Sequence, residues 1–412
     1  MSEQRTADVV VVGAGAAGLM AAIHAAERGA RALLLERTSD GGRKILISGG
    51  GRCNVLPSRA QPERFVTSSS VNAMKRLLRA WPLEEQRRFF EDRLGLPLAL
   101  EPETGKLFPV SNRARDVRDR LVEHARELGA RIRFETRVTD LRANGAGWQV
   151  LLDDGGSIEA GAVVLATGGL SVPQTGSDGT GLSIARRLGH TIHETYPALT
   201  PLTADPAVHA PLAGVSLTVT IDAPLPRGRF STTGGFLFTH RGWSGPAVLD
   251  ASHHAVRARL RGEPQTLLVR WTTLGSEEWD RALRDGGRGA TVGSVVRRAL
   301  PARLADALID ETRVDAARPL AELRREERAR LVGALASYPL PWTGDEGYRK
   351  AEVTGGGVAL AEIDLKTMES RVCPRLHLCG EMLDAFGPIG GHNFMWAWST
   401  GRQAGLGAAG AA

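Results

Sequence analysis

Residues 8–18 of the chain read DVVVVGAGAAG, from Asp8 to Gly18. Four consecutive valines are typical of a strand that is buried on both faces of a parallel sheet. The glycines that follow form a G-x-G-x-x-G motif, and an alanine-rich helix is predicted from Leu19 to Arg28. The sequence therefore predicts a strand–turn–helix unit whose helix N-terminus can approach a phosphate group.

A second predicted strand, Ala32 to Glu36, completes this unit. Glu36 lies 18 residues beyond Gly18, where a carboxylate accepts hydrogen bonds from a ribose diol. A lone glycine motif is weak evidence, because such motifs also form purely structural turns. Its position between a strand and a helix, followed by an acidic residue at this distance, favours dinucleotide binding.

The composition is that of an ordinary globular protein. The 412 residues are 42% hydrophobic and 24% charged, which excludes a disordered or fibrous chain, and the length predicts two or three domains. The 49 glycines point to tight turns and close approach of the backbone to a ligand. The longest uncharged run, Val9 to Ala26, is broken by glycines, and no signal peptide is recognised, so we expect a cytoplasmic protein without a membrane span.

Three cysteines are too few and too widely spaced for a disulfide framework or a zinc site. Cys53, Cys373 and Cys379 form no C-x-x-C pair, and His253-His254 has no companion acids at ligand spacing. We therefore expect no metal and a reducing compartment. Cys373 and Cys379 are interpreted as core residues.

The basic residues are unevenly distributed. The net charge is +6, and the segment 255–303 carries ten arginines against five acids, including Arg297 and Arg298. Such a segment could bind the phosphates of structured RNA, or it could be a solvated surface. Both interpretations stay open.

Further motifs follow the first glycine motif in order along the chain. They are KILISGGGRCN (44–54), ATGGLS (166–171), FTHRGWSGP (238–246), EVTGGGV (352–358) and GGHNFMWA (390–397). Together they resemble the YhiN/BaiN-like family of FAD-dependent (NAD(P)/FAD-dependent) oxidoreductases, for which the SGGGRCN segment is nearly diagnostic.

The resemblance implies an α/β fold with a Rossmann-like FAD-binding domain of the two-dinucleotide-binding type. The change from buried parallel strands to short strands and charged helices places this domain at 1–194 and 346–412. A β-barrel-like insert is expected at 195–275 and a small helical insert at 276–345. The oligomeric state is left open.

The family's chemistry implies FAD as cofactor and NAD(P)H as electron donor for reduction of an activated C=C bond. One branch is associated with bile-acid enones and another with uridine in ribosomal RNA. This chain has His392, Phe394 and Met395 where the family commonly reads GGYNLQWA, so both a small-molecule enone and a uracil in RNA stay open. A flavin amine oxidase-like enzyme that uses oxygen, or an FAD-binding protein of another redox role, is the alternative.

The resemblance also implies which residues bind FAD. The first glycine motif and Glu36 would hold the ADP half, the backbone of Val138 would meet the adenine, and Glu381 would lie at the ribityl chain. The predicted cofactor-binding residues are Gly13, Gly15, Ala16, Ala17, Gly18, Glu36, Arg37, Gly42, Arg43, Lys44, Ser48, Gly49, Gly50, Arg52, Cys53, Asn54, Val138, Ala166, Thr167, Gly168, Gly380, Glu381, Gly391, His392 and Asn393.

Three residues are predicted to be catalytic: Lys44, His392 and Cys53. Flavin reduction places negative charge near N1–C2=O, so cations or amide dipoles are expected there, supplied by Lys44, Arg52 and the turn 390–393. Arg52 could instead form a structural ion pair, and His392 could simply begin a helix.

Cys53 is the candidate proton donor for reduction of a C=C bond. It follows three glycines and Arg52, whose guanidinium could lower the thiol pKa. A small buried cysteine packed against the flavin is an equally open interpretation.

Overall fold

The computed structural model describes residues 6–145, 147–287 and 289–411. The chain divides into two compact units, one formed by Met1–Pro197 with Glu352–Ala412 and the other by Ala198–Ala351. The domain boundaries at 194/195 and 345/346, and the division of the insert at 275/276, stay predictions.

The first part of the first unit contains ten strands and six α-helices among its described residues. The strands are β1 (Thr6–Val12), β2 (Ala32–Leu35), β3 (Leu56–Pro57), β4 (Leu98–Glu101), β5 (Lys106–Pro109), β6 (Arg131–Arg133), β7 (Val138–Asn144), β8 (Gly147–Leu152), β9 (Ser157–Leu165) and β10 (Ile192–Ala198). The helices are α1 (Ala16–Glu27), α2 (Arg43–Ile47), α3 (Val71–Ala80), α4 (Leu83–Arg88), α5 (Ala114–Glu127) and α6 (Thr180–Arg187).

The second unit combines short strands with helices. Its strands are β11 (Leu202–Thr203), β12 (Ser216–Pro224), β13 (Arg229–Phe238), β14 (Gly242–Ser244), β15 (Leu268–Arg270), β16 (Tyr338–Pro339) and β17 (Gly344–Asp345). Its helices are α7 (Pro246–Arg261), α8 (Ser276–Asp285), α9 (Val292–Ala299), α10 (Ala302–Glu311) and α11 (Arg325–Ala336). The strands form one antiparallel sheet in the order β16-β15-β12-β13-β14-β11-β17, and Phe236, Trp243 and Trp271 lie in the core of this unit.

The chain then returns to the first unit with β18 (Val353–Val358), β19 (Leu376–Leu378) and α12 (His392–Ala411). The central sheet of this unit has the order β6-β2-β1-β9-β8-β7, and β19 also pairs with β9. Strands β1, β2, β6, β9 and β19 run parallel, whereas β7 and β8 are antiparallel. Val9, Val10 and Val11 of β1 are fully buried, as the valine run predicts. The predicted α/β class with a Rossmann-like core is confirmed.

Close backbone contacts position α1 and α12. A side chain added at Gly18 would place its Cβ 1.8 Å from the Gly13 carbonyl oxygen. At Gly401 and Gly405 of α12 the Cβ would lie 2.3 Å and 2.2 Å from carbonyl oxygens of α1. Because these glycines lack side chains, both helices pack at close range, and the N-termini of α1 and α12 are fixed relative to the sheet.

Among the described helices, none is both long enough and apolar enough to cross a bilayer.

Candidate cofactor site

A cavity of about 450 Å³ lies within the first unit, at the carboxyl ends of the parallel strands. Gly13 follows β1, Glu36 follows β2 and Ala166 follows β9, and all three line the cavity. Ligands of open parallel α/β sheets bind at this edge, and the volume is within the usual range for small-molecule sites.

The glycine turn leaves room for a ligand to approach the backbone. Gly13 has a φ of +102°, in the left-handed region that favours glycine. A Cβ added at Gly15 would have no other atom within 4 Å, so the missing side chain opens the cavity there rather than relieving a protein contact. Gly50, with a φ of +68°, has the same open surroundings. These positions fit a pyrophosphate that must lie directly against main chain.

The Glu36 carboxylate is held in place by three hydrogen bonds. It accepts from the Ala14 N–H at 2.7 Å, from the Thr38 N–H at 2.8 Å and from the Thr38 hydroxyl at 2.7 Å. Only 7% of Glu36 is exposed, and it lines the cavity. A fixed carboxylate at the end of β2 is the arrangement that a ribose diol requires.

Most of the predicted cofactor-binding residues are brought together by the fold. Those that line the cavity are Gly13, Gly15, Ala16, Ala17, Glu36, Arg37, Gly42, Arg43, Lys44, Ser48, Gly49, Gly50, Val138, Ala166, Thr167, Gly168, Gly380, Glu381 and Asn393. Gly18, Arg52, Cys53, Asn54, Gly391 and His392 are described but are not among the lining residues. Gly18 instead permits the close packing of α1, and Asn54, in the amide orientation that satisfies both its ends, accepts from the Gly391 N–H at 2.9 Å.

Lys44 and Glu381 form an ion pair in the cavity wall. The Lys44 ammonium donates to Glu381 Oε2 and to the Ser171 hydroxyl, both at 2.6 Å. The other Glu381 oxygen accepts from the Ser171 hydroxyl at 2.5 Å and from the N–H and hydroxyl of Thr354 at 3.0 Å and 2.8 Å. The sequence did not identify Ser171 and Thr354, although both lie in motifs that it singled out. This network fixes a cation and a carboxylate side by side.

The first turn of α12 forms another part of the wall. Asn393 and Phe394 line the cavity, and the Asn393 side chain accepts from the Gly387 N–H at 2.8 Å and donates to the Gly387 carbonyl at 3.0 Å. The helix has 20 residues, so its N-terminus carries the positive end of a substantial dipole. This part of the cavity wall therefore favours negative charge through its main chain.

Arg52 does not supply charge to the cavity. Its guanidinium donates to a Glu101 carboxylate oxygen at 3.0 Å and lies 4.0 Å from the centroid of the Phe108 ring. The alternative of a structural ion pair is the one observed. Glu101 of β4 supplies the carboxylate and Phe108 of β5 the aromatic face, and cofactor binding by Arg52 stays a prediction.

The predicted lowering of the Cys53 pKa was also wrong. Cys53 is fully buried, and burial raises the pKa of its thiol to about 12. Its backbone has a left-handed φ of +61°, and its N–H donates to the Ser48 carbonyl at 3.0 Å. The thiol therefore keeps its proton at neutral pH, away from the cavity lining.

His392 is a neutral side chain in this structure. It is 5% exposed, its Nδ1 lies 3.3 Å from the Ile389 carbonyl, and burial lowers its pKa to about 4. Its Nε2 has no hydrogen-bond partner among the described residues. Asn393 rather than His392 lines the cavity at this turn, and a catalytic role of the imidazole stays a prediction.

Several lining residues were missed by the sequence predictions. Arg137, Asp178, Phe386 and Phe394 all line the cavity. The glycine-dense segment 175–181 could have indicated that Asp178 lies near a ligand. Nothing in that segment indicates its partner Arg37, which lies 141 positions earlier. Among the described residues, no group of three potential metal ligands is found.

Comparison with known proteins agrees with this geometry. The family model "HI0933-like protein Rossmann domain" matches residues 7–407. The chain is 31% identical to the ribosomal RNA dihydrouridine synthase of Escherichia coli over 402 residues, which covers 95% of this chain and 96% of the relative. It is also 31% identical to the 3-dehydro-bile acid delta(4,6)-reductase of Clostridium scindens over 406 residues, with 97% and 98% covered.

Among solved structures, the chain is similar to the 3-ketosteroid-delta4-(5alpha)-dehydrogenase from Rhodococcus jostii RHA1. The TM-score is 0.51 at 16% identity, and the match covers 98% of this chain and 97% of the other. The likeness supports the same fold. The resemblance drawn from the motifs is thus confirmed, and the chain belongs to the HI0933-like Rossmann family, as an FAD-dependent oxidoreductase.

Proposed function

We propose that the protein uses FAD and NAD(P)H to reduce a C=C bond conjugated to a carbonyl group. The observation that carries this proposal is a single cavity that combines a dinucleotide cradle with a fixed cation. Gly15 and Glu36 belong to the cradle, and Lys44 with the N-terminus of α12 belongs to the charged part. When bound, FAD would supply the two-electron chemistry: it would accept a hydride from NAD(P)H and donate one to one carbon of the C=C bond, while a proton from water would reach the other carbon.

The chain's own groups account for binding of the ADP half. The main chain at Gly15 and the N-terminus of α1 offer N–H groups to the pyrophosphate, and the helix dipole favours its negative charge. Glu36 accepts from the ribose hydroxyls, and Val138 lines the cavity where the adenine would lie. A rigid carboxylate is needed there, and the hydrogen bonds from Ala14 and Thr38 provide the rigidity.

Lys44 and α12 stabilise negative charge that develops during reduction. Glu381 sets the position of the Lys44 ammonium, while Ser171 and Thr354 hold Glu381. Preorganised charges of this kind do not have to reorient as the reaction proceeds, which is the source of their effect on the rate. We assign Cys53 no role as proton donor, because burial raises the pKa of its thiol to about 12, which makes it a weak acid, and it does not line the cavity.

The substrate we propose is a uracil base in ribosomal RNA, reduced to dihydrouridine in the cytoplasm, with a small enone as the second candidate. The names of the two similar proteins both describe reduction of one type of bond, a C=C bond next to a carbonyl. The arginine-rich segment favours RNA, since Arg298 is exposed and has no ion-pair partner among the described residues.

Anaerobic flavin reduction followed by addition of acceptors tests the proposal. The purified holoprotein is mixed with NADH or NADPH, and loss of the yellow flavin absorbance is followed. The reduced protein then receives an in-vitro transcript of ribosomal RNA, a bile-acid enone or buffer alone. We expect NAD(P)H to bleach the flavin, and the RNA transcript to restore the colour with formation of dihydrouridine.

Other outcomes separate the alternatives. Recovery with the enone alone would assign a small-molecule reductase. Bleaching by primary amines but not by NAD(P)H, with peroxide formed on aeration, would assign an amine oxidase-like enzyme. A colourless protein that cannot be reconstituted with FAD would overturn the proposal.

A further inference from the structure

An ion pair connects two walls of the cavity next to the predicted ribose site. Arg37 directly follows Glu36 at the end of β2, and Asp178 lies 141 positions later, in the loop between β9 and α6. The Arg37 guanidinium donates to Asp178 Oδ2, and both residues line the cavity. Their side chains are 35% and 32% exposed. The pair is therefore at the cavity surface, within reach of solvent.

The loop that carries Asp178 lies closely against β2. A Cβ added at Gly176, where φ is +103°, would lie 3.3 Å from the methyl group of Thr38. Ser177 is buried, and a Cβ at Gly168 would lie 2.9 Å from its hydroxyl. The loop thus contacts Thr38, a residue that holds Glu36, at one edge of the cavity.

Hydrogen bonds within its own loop orient the Asp178 carboxylate toward Arg37. Its Oδ1 accepts from the N–H and the hydroxyl of Thr180 at 3.0 Å and 2.7 Å, which leaves Oδ2 for Arg37. Arg137 is a second cation, 3.7 Å from Oδ2. The hydrogen bonds from Thr180 and the Arg37 guanidinium outweigh the effect of burial and hold the pKa of Asp178 below its usual range, so the carboxylate stays ionised at neutral pH.

We propose that Arg37 and Asp178 form a clasp that closes over the adenosine half of the bound dinucleotide and slows its release. The inference rests on the proposed function, because it takes FAD as the occupant of the cavity. With its ribose at Glu36 and its adenine at Val138, a dinucleotide would lie in the cavity that the end of β2 and the loop of Asp178 both line. Its departure requires the two walls to separate, and the ion pair opposes that separation.

The size of the expected effect follows from the exposure of the pair. Ion pairs that are about one-third exposed are screened by water and contribute little, so opening one changes a rate constant about three- to fivefold. Salt at high concentration weakens such a pair, and it should therefore speed FAD release from the parent protein. A variant without the pair should show a smaller salt effect.

The experiment measures the rate constant of FAD release from the holoprotein. The protein is diluted into excess apoflavoprotein that captures free flavin, and flavin fluorescence is followed at low and high salt. The variants are Arg37→Met, Asp178→Asn and the double variant. We expect each single change to speed release about three- to fivefold, and the double variant to release no faster than either single variant, since the same contact is lost.

The chain offers a matched control. Arg187 and Asp140 form a similar ion pair, 48% and 29% exposed, and neither residue lines the cavity. Asp140→Asn should leave FAD release unchanged. The ratio of flavin to protein absorbance of each variant before dilution separates loss of the pair from damage to folding.

Two results would overturn the clasp. Parental release rates in both single variants would show that the pair does not resist departure. Faster release in Arg37→Met together with slower release in Asp178→Asn would show that Arg37 binds the dinucleotide directly and that Asp178 competes for it. In both cases FAD remains bound, so the proposed function stands. A protein that does not bind FAD at all refutes the function and the clasp together.

Discussion

The Nζ atom of Lys44 lies 2.6 Å from an oxygen of Glu381, although the two residues are 337 positions apart in the chain. Lys44 belongs to the short helix α2, and Glu381 follows β19. Ser171 touches both charges, because its hydroxyl lies 2.6 Å from the ammonium and 2.5 Å from the carboxylate. The cation in the cavity wall is therefore built from segments that are distant in sequence.

Replacing Lys44 with Met should slow reduction of the bound flavin by NAD(P)H about tenfold, less than the roughly 100-fold cost of removing one preorganised donor, because Glu381 already balances part of the ammonium's charge. FAD should stay bound, because the ADP half is held elsewhere in the cavity. Stopped-flow absorbance under anaerobic conditions measures the rate constant. Lys366→Met is the control, since Lys366 is exposed and does not line the cavity. Reduction of the Lys44→Met protein at the parental rate would show that this cation does not act on the flavin.

Replacing Gly15 with Val should lower FAD occupancy strongly. The added side chain enters the open space beside the glycine turn, where the pyrophosphate must approach the backbone. Gly333→Val is a matched control, because a Cβ at Gly333 also meets nothing within 4 Å, and this glycine is exposed on α11. The ratio of flavin to protein absorbance after purification reports the outcome. Equal occupancy in both variants would mean that the dinucleotide does not pass Gly15.

The fold around the glycine turn and Glu36 could be predicted because the residues that specify it are close together in the sequence. Gly13, Gly15 and Glu36 belong to one short unit, and the backbone geometry of a strand–turn–helix unit places them together whatever the rest of the chain does. Contacts between segments that are far apart in the sequence leave no such pattern in it. Arg52 precedes Cys53 in the sequence, but its guanidinium lies over Phe108, so adjacency gave a false prediction of the thiol's surroundings.

The buried thiol of Cys53 should make the protein less stable at alkaline pH. Its pKa is about 12 in the folded state and near 9 in an ordinary thiol. Above about pH 9 the unfolded chain loses this proton and the folded chain keeps it, so the free energy of unfolding falls by about 1.4 kcal/mol per pH unit. The contribution is fully present below pH 9 and declines as the pH rises toward 12. Urea unfolding at several pH values, for the parent and Cys53→Ala, measures the difference in slope.

The same variant also tests whether Cys53 donates a proton to the substrate. Cys53→Ala should reduce substrate within a few-fold of the parental rate, whereas loss of a general acid usually slows a reaction about 100- to 10,000-fold. A loss of that size, with FAD still bound and still reduced by NAD(P)H, would restore Cys53 as the proton donor. An unchanged alkaline slope in the unfolding experiment would contradict the burial of its thiol.

Two neighbouring arginines of α9 provide a test of RNA as substrate. Arg297 donates to Asp306 Oδ1 at 2.7 Å, whereas Arg298 is exposed and has no ion-pair partner in the part of the chain that the structure describes. A guanidinium that is already neutralised by a carboxylate gains less from a phosphate than a free one does. If the second unit binds RNA through this helix, the two residues should therefore contribute unequally.

We expect Arg298→Ala to weaken binding of a ribosomal RNA fragment and to reduce the slope of log affinity against log salt by about one unit, the effect of one lost phosphate contact. Arg297→Ala should change the slope less, because it removes a charge that Asp306 already balances. Fluorescence anisotropy at several salt concentrations measures both, with FAD content as the check on folding. Identical binding by both variants and the parent at every salt concentration would make this face of α9 a solvated surface, and the small enone would then become the better candidate substrate.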